Sequence, residues 1–281
     1  MSKCRITILS ENTSADVRLA AEFGLCMLVE QEGHSVLFDT GSGGAFIDNA
    51  KVLGIDLSRV GAVALSHNHF DHTRGFLPFA SQFKQPFLLY LSKHFFKVSA
   101  WDKFDDGEFM LPTSGPLTPA KLSGLCIDTR LVYKDVYPIE GTDNMFLLNN
   151  IPRTVDFEQI DKTNYILSNN NWVIDSYADE QVLIVNTCTG LVVLTGCAHT
   201  GICNICEYAC KLFQKPVRAI IGGTHLVAFD EERTARTLDY LKHRDIETIA
   251  ACHCTGEKAI LEFQRAGYSA AQCGYSMEFD I

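Results

Sequence analysis

The sequence predicts an α/β protein, a four-layer α/β/β/α sandwich in which two sheets are faced by outer helices, and three observations carry that reading. Apolar strand-like runs alternate with helical periodicity in both halves of the chain. In the N-terminal half, the run Ala62-Val63-Ala64-Leu65 ends just before His67, His69, Asp71 and His72. In the C-terminal half, the runs 191–194, 217–221 and 246–251 each end just before a histidine. Strand ends from both halves meet along one edge of such a sandwich, so these residues are expected to meet.

The elements follow in order. Residues 1–9 read as a first strand and lack the apolar core and cleavage site of a signal peptide, and no later run is long enough to span a bilayer. A cytoplasmic location is therefore expected. Residues 22–32 and 35–38 read as neighbouring strands joined at Gly33-His34, the second ending in Asp39-Thr40-Gly41. Residues 44–53 form an amphipathic helix with Phe46, Ile47, Ala50 and Leu53 on one face. Asp39 then lies beside the histidines, either as acceptor for an imidazole N–H or as a helix cap.

Residues 73–170 read as an irregular insertion or lid on a single domain spanning 1–281, with β signals only at 87–91 and 131–133. Phe95, Phe96, Trp101, Phe104, Asp105 and Asp106 lie within it, and His94 reads as a surface or lid residue. Arg153 at its end is either an anion contact or simply exposed. Regular structure resumes with β runs at 172–174, 181–185 and 191–194, a helix from Gly201 and a strand at 217–221. A helix at 231–242, a strand at 246–251, a helix at 256–264 and a closing strand complete the chain.

The chain has 281 residues, 47% of them hydrophobic, enough for a large core. A net charge of −10 with no basic tract argues against nucleic acid as a partner. Eleven cysteines in a reducing compartment point to a metal or cluster rather than to disulfides.

The segment from His67 to His72 carries the chemistry. His67 and His69, two apart, can point to one side of an extended segment, whereas Asp71 and His72 on the following turn can face a second position. Two metals fit better than one. His67, His69, Asp71 and His72 match the HxHxDH signature of the metallo-β-lactamase superfamily, and the chain resembles that superfamily over nearly its whole length. With its GTHL, HCTG and IPR segments it is most similar to the branch of dihydropterin-ribofuranosylaminobenzene-phosphate synthase-like metal-dependent hydrolases.

The resemblance implies two divalent ions, zinc or iron. His67 and His69 would take the first together with His199; Asp71 and His72 would take the second with His253. His225 is then an alternative ligand or the proton donor, and Asp71 and His225 are the catalytic candidates. Where the superfamily bridges its metals with an Asp, this chain has Cys197, whose thiolate can bridge and shifts preference toward softer ions. The superfamily's third histidine would fall at Asp179 or Glu180, so His199 substitutes for it.

Cys203, Cys206 and Cys210 fall on one stripe of the helix after His199. They read either as core residues or as ligands of a 4Fe-4S cluster completed by Cys273, with Cys252, Cys254 and Cys197 as other fourth ligands. The combination is similar to ferredoxin-like members of the superfamily. Cys4, Cys26, Cys126 and Cys188 read as structural. The expected function is hydrolysis of a small, anionic molecule (an ester, lactone, amide or phosphoester) with a cluster nearby. A diiron protein exchanging electrons with the cluster and a redox partner is the alternative, or an iron or oxygen sensor with a vestigial hydrolase site.

Overall fold

The computed structural model describes residues 2–83, 85–102, 110–125 and 127–281. Phe104, Asp105, Asp106 and Cys126 lie outside the described residues. The N-terminal part contains β1 (Lys3–Ser10), β2 (Cys26–Gln31), β3 (His34–Phe38), α1 (Ala45–Val52), β4 (Ala62–Ala64), α2 (Phe70–Thr73), α3 (Phe76–Gln82) and β5 (Phe87–Ser92). Next come β6 (Ser99–Asp102), β7 (Met110–Pro112), α4 (Pro119–Ser123), β8 (Ile127–Val132), β9 (Val136–Pro138), β10 (Met145–Leu148), β11 (Asn164–Ser168) and β12 (Asn171–Ile174). The remainder holds β13 (Val182–Asn186), β14 (Leu191–Thr195), α5 (Ile202–Phe213), β15 (Val217–Gly222), α6 (Glu231–His243), β16 (Thr248–Ala251), α7 (Glu257–Arg265), β17 (Ser269–Ala270) and β18 (Ser276–Asp280).

Two seven-stranded sheets form the centre, ordered β18-β1-β2-β3-β4-β5-β8 and β17-β16-β15-β14-β13-β10-β9. Side chains alternate between layers, as the period of two in a strand requires. Met27, Val29, Val36 and Phe38 from the first sheet meet Leu183, Val185, Val192 and Leu194 from the second between the sheets. Cys26, Leu28 and Leu37 point outward onto Phe46, Phe76 and Phe79 of α1 and α3. Ile184, Val193 and Ile220 point outward onto Ile202, Ile205 and Leu241 of α5 and α6. The layers are therefore α/β/β/α, as expected. No helix among the described residues is long and apolar enough to cross a membrane.

The stretch 73–170 contributes strands to both main sheets. Strands β5 and β8 pair in parallel within the first sheet, and β9 and β10 complete the edge of the second. Only a small four-stranded sheet, β12-β11-β6-β7, stands apart from the two main ones. The parallel run β3-β4-β5-β8 and the parallel run β14-β15-β16-β17 direct their C-terminal ends to a common edge. Backbone amides and carbonyls left unpaired there open a place for polar side chains.

Candidate metal centre

Five strand ends deliver the site. Asp39 follows β3, His67 and His69 follow β4, and the single turn of α2 carries Asp71 and His72 to the other side. Cys197 and His199 follow β14, His225 follows β15, and His253 and Cys254 follow β16. Asp39, Ala198, His225 and His253 have φ of 62°, 61°, 53° and 53°. Residues bearing a Cβ avoid this left-handed region, and where such strain gathers it is commonly at functional sites.

The side chains converge in overlapping groups whose ligand atoms all lie within 4.8 Å of one another: His67, His69 and His199; Asp71, His72 and His253; and His67, His72 and Cys197. Cys197 thus stands between the two trios, with Sγ 3.2 Å from His72 Nε2. His67 Nε2 faces His199 Nε2 at 3.2 Å, and His253 Nε2 faces an Asp71 carboxylate oxygen at 3.2 Å.

A shell of acceptors fixes these rings. His72 Nδ1 donates to Asp39 Oδ2 at 2.7 Å, and Asp39 also accepts from the Ser66 amide and hydroxyl, both at 2.7 Å. His67 Nδ1 reaches the Ser66 hydroxyl at 2.9 Å, and His253 Nδ1 reaches Asn12 Oδ1 at 3.0 Å. Each of these imidazoles spends Nδ1–H on an anchor, which leaves Nε2 with its lone pair toward the site. Asp39 is therefore the imidazole acceptor rather than a helix cap.

The donor set fits divalent cations. His69 Nε2, His225 Nδ1 and His253 Nε2 are buried without a hydrogen-bond partner, a costly arrangement that a coordinated ion relieves. Burial pushes His69 down to about 3, and holds His67 and His199 well below the usual imidazole range with help from neighbouring rings, so all three stay neutral as ligation requires. Burial alone would lower His72 as well, yet the charges of Asp39 and Asp71 carry it up to about 9. Burial would raise the Asp71 carboxyl, but His72 and His253 hold it below the usual carboxylate range. This side of the site therefore carries excess negative charge, matched by a proton or by a metal ion.

Asp179 and Glu180 point away from these groups. Asp179 binds Lys97 at 2.6 Å and the Asn68 amide at 2.8 Å; Glu180 accepts from the amides of His199 at 2.6 Å and Thr200 at 2.8 Å. Both position ligand-bearing loops. His94 is exposed and belongs to none of the ligand groups. Arg153 is exposed and donates to the His199 carbonyl at 3.2 Å. Sequence reasoning gave Cys254 only as an alternative cluster ligand and missed Asp161, which contacts His225 Nε2 at 3.3 Å from another segment. His225 itself forms a further group with Cys197 and Cys254.

The thiols expected to bind a cluster fall in two places, α5 and the neighbourhood of Glu11. Cys203 and Cys206 are packed with Ile202, Ile205 and Ala209 against the outer face of the second sheet, and burial raises both thiols. Cys210 is half-buried at the rim of a cavity of about 320 Å³ beside Tyr240 and Arg244. Cys273 sits beside the first sheet, its thiol directed at the carbonyls of Glu11 at 3.5 Å and Ala20 at 3.6 Å. Cys273 thus has different surroundings from the α5 thiols. Cys4 and Cys26 are buried core residues, and Cys188 is exposed.

A sandwich with an HxHxDH loop at the meeting edge of its two sheets defines a protein of the metallo-β-lactamase type. The chain belongs to the metallo-β-lactamase superfamily, whose family model matches residues 19–147. It is similar to a Methanocaldococcus jannaschii protein named 7,8-dihydropterin-6-methyl-4-(beta-D-ribofuranosyl)-aminobenzene-5'-phosphate synthase, 32% identical over 254 residues and covering 85% of this chain and 83% of the relative. An uncharacterized protein of the same organism is 26% identical, covering 92% and 94% of the two chains. Among solved structures, Tm1679, a metal-dependent hydrolase of the beta-lactamase superfamily, matches with a TM-score of 0.84 and 27% identity over 99% of this chain and 100% of its own. Zinc-bound PqqB from Methylobacterium extorquens has a TM-score of 0.60 at 11% identity, over 97% and 99% of the two chains, and shares the fold.

Proposed function

We propose that this protein is a metal-dependent hydrolase of a small, anionic molecule, working through a pair of divalent ions. The observation that carries the reading is the two ligand trios on either side of Cys197, His67 with His69 and His199, and Asp71 with His72 and His253. Two ions held there would polarise the bond to be cleaved and lower the pKa of the attacking water. The chain's own residues supply the rest. Asp39, Ser66 and Asn12 orient the rings, and Asp71 is a proton acceptor beside His253. A thiol at the bridging position favours zinc or iron over magnesium.

For the substrate we infer a phosphorylated compound with an aromatic part. The Methanocaldococcus jannaschii relative is named for making a phosphate of that kind, which also supports a second reading in which this chain is a synthase. Exposed Arg153 next to the His199 loop offers a cation for the phosphate, and exposed Phe96 adjoins Lys97, whose carbonyl accepts from Asn68 in the ligand loop at 3.1 Å. The test is a screen of the zinc- or iron-loaded protein on phosphodiesters, phosphomonoesters and lactones, alongside an assay for the compound in that relative's name. Hydrolysis removed by chelators and abolished in His69→Ala and Asp71→Ala supports the proposal. Inactivity on every ester with a full metal complement, together with formation of the named compound, replaces it with the synthase reading.

A further inference from the structure

Cys197, His225 and Cys254 form a ligand group outside the two trios, their sulfur and nitrogen atoms within 4.8 Å of one another. The ends of β14, β15 and β16 bring them together, which is why no sequence spacing reveals the group. Its geometry is that of an ion site. Asp161 holds His225 Nε2 at 3.3 Å while His225 Nδ1 is buried with no hydrogen-bond partner. A carboxylate on one imidazole nitrogen commonly turns the other toward a metal. The Cys254 thiol contacts the Cys197 carbonyl at 3.4 Å and faces the Cys197 thiol and the His225 imidazole. The backbone is shaped around that sulfur: a Cβ on Gly223 would lie 2.5 Å from Cys254 Sγ.

We propose that Cys197, His225 and Cys254, with Asp161 behind the imidazole, form a third metal position that takes a thiophilic divalent ion such as zinc. Two sulfurs and one nitrogen are a borderline-soft donor set, and three protein ligands leave a fourth position for water or substrate. The His199 and His225 ring centroids are 4.1 Å apart, so the open position adjoins the first trio. The inference goes beyond the two-ion reading and rests on it only for the sharing of Cys197.

Cobalt(II) alone, added without oxygen to metal-depleted full-length protein, tests it. Bound ions per chain are counted by elemental analysis, and thiolate-to-cobalt charge transfer is followed in the near ultraviolet. The wild type is expected to hold three ions. Cys254→Ala is expected to hold two and to lose about half of the charge-transfer intensity, because each thiolate contributes its own transition. Asp161→Asn leaves the ligand atoms in place and is expected to weaken the third ion about 10- to 100-fold with an unchanged circular dichroism spectrum. His69→Ala is expected to lose one ion and keep the charge-transfer band, so the histidine trio and the thiolate group are read separately. A wild type that saturates at two ions, or an unchanged count and band in Cys254→Ala, overturns the third position. An unchanged count in His69→Ala overturns the two-ion reading instead.

Discussion

Asp39 and His72 are joined by a 2.7 Å hydrogen bond between two fully buried side chains at the junction of two strand ends. The same carboxylate takes the Ser66 amide and hydroxyl, so it ties the loop after β3 to the loop that carries His67 and His69. Asp39→Asn keeps the size of the side chain but removes the charge and one acceptor. Metal affinity at the Asp71, His72 and His253 trio is expected to fall about 10- to 100-fold. Competition titration with a chromogenic chelator checks it, and equal affinity in both proteins counts against the orienting role.

The two trios are expected to respond differently to pH. His69, pushed down to about 3 by burial, has no proton to lose near neutrality, and His67 and His199 are lowered likewise. His72, carried up to about 9 by Asp39 and Asp71 against burial, must lose one before it can ligate. Affinity at the His72 trio should therefore rise about tenfold per pH unit up to about 9, and affinity at the His69 trio should change little between pH 6 and 9. In the metal-free protein the sign reverses. A raised folded-state pKa stabilises fully below the unfolded imidazole value, near 6.5, and that contribution is lost as pH rises through about 9. Zinc titrations across this range, with melts of the chelated protein, measure both trends.

The candidate ligands were legible in the sequence because each stands two to seven residues beyond an apolar run, and a strand end fixes where such a residue emerges. The period of two in β2, β3, β13 and β14 likewise showed which side chains face the core. Long-range partners left no local mark: Asp161 and His225 are 64 residues apart, and Lys97 meets Asp179 from 82 residues away. Within 73–170 β5 was expected and β8 only at its end, whereas β9 and β10 were missed because they are three and four residues long and lie between polar turns. The strand expected from Glu22 begins only at Cys26. Gly24 has a φ of 143°, and a Cβ there would fall 2.4 Å from the Asp71 carbonyl, so the chain turns to meet the ligand loop before it enters the sheet.

Gly223→Ala tests how tightly the thiol side is packed. The new methyl would fall 2.5 Å from both Cys254 Sγ and the Gly196 carbonyl. Something must shift, and overpacking of this kind costs about 1–3 kcal/mol. A lower thermal midpoint is expected, along with weaker charge transfer in the cobalt-loaded protein. A variant that melts like the wild type would show that the loop after β15 yields easily.

Glu158 is the last test, because it links stability to the first trio. Helix α5 starts at Ile202 with no side-chain cap of its own at Gly201. Glu158 supplies that cap from a distant segment, accepting from the Cys203 amide at 3.0 Å and the Asn204 amide at 2.7 Å. Its negative charge also suits the positive end of the helix. Arg233 approaches within 3.4 Å, with both side chains buried. Burial raises the Glu158 carboxyl, and the two amides pull it back only in part. Glu158→Ala strands the two amides and leaves Arg233 without its carboxylate, so a loss of about 2–4 kcal/mol is expected. Because Asn204 also receives the amides of Thr154 at 2.7 Å and Val155 at 2.8 Å, the segment next to Arg153 should loosen together with the turn that carries His199. Chemical denaturation measures the first effect. Hydrogen exchange at residues 199–205 measures the second, and unchanged protection there would confine the role of Glu158 to the helix end.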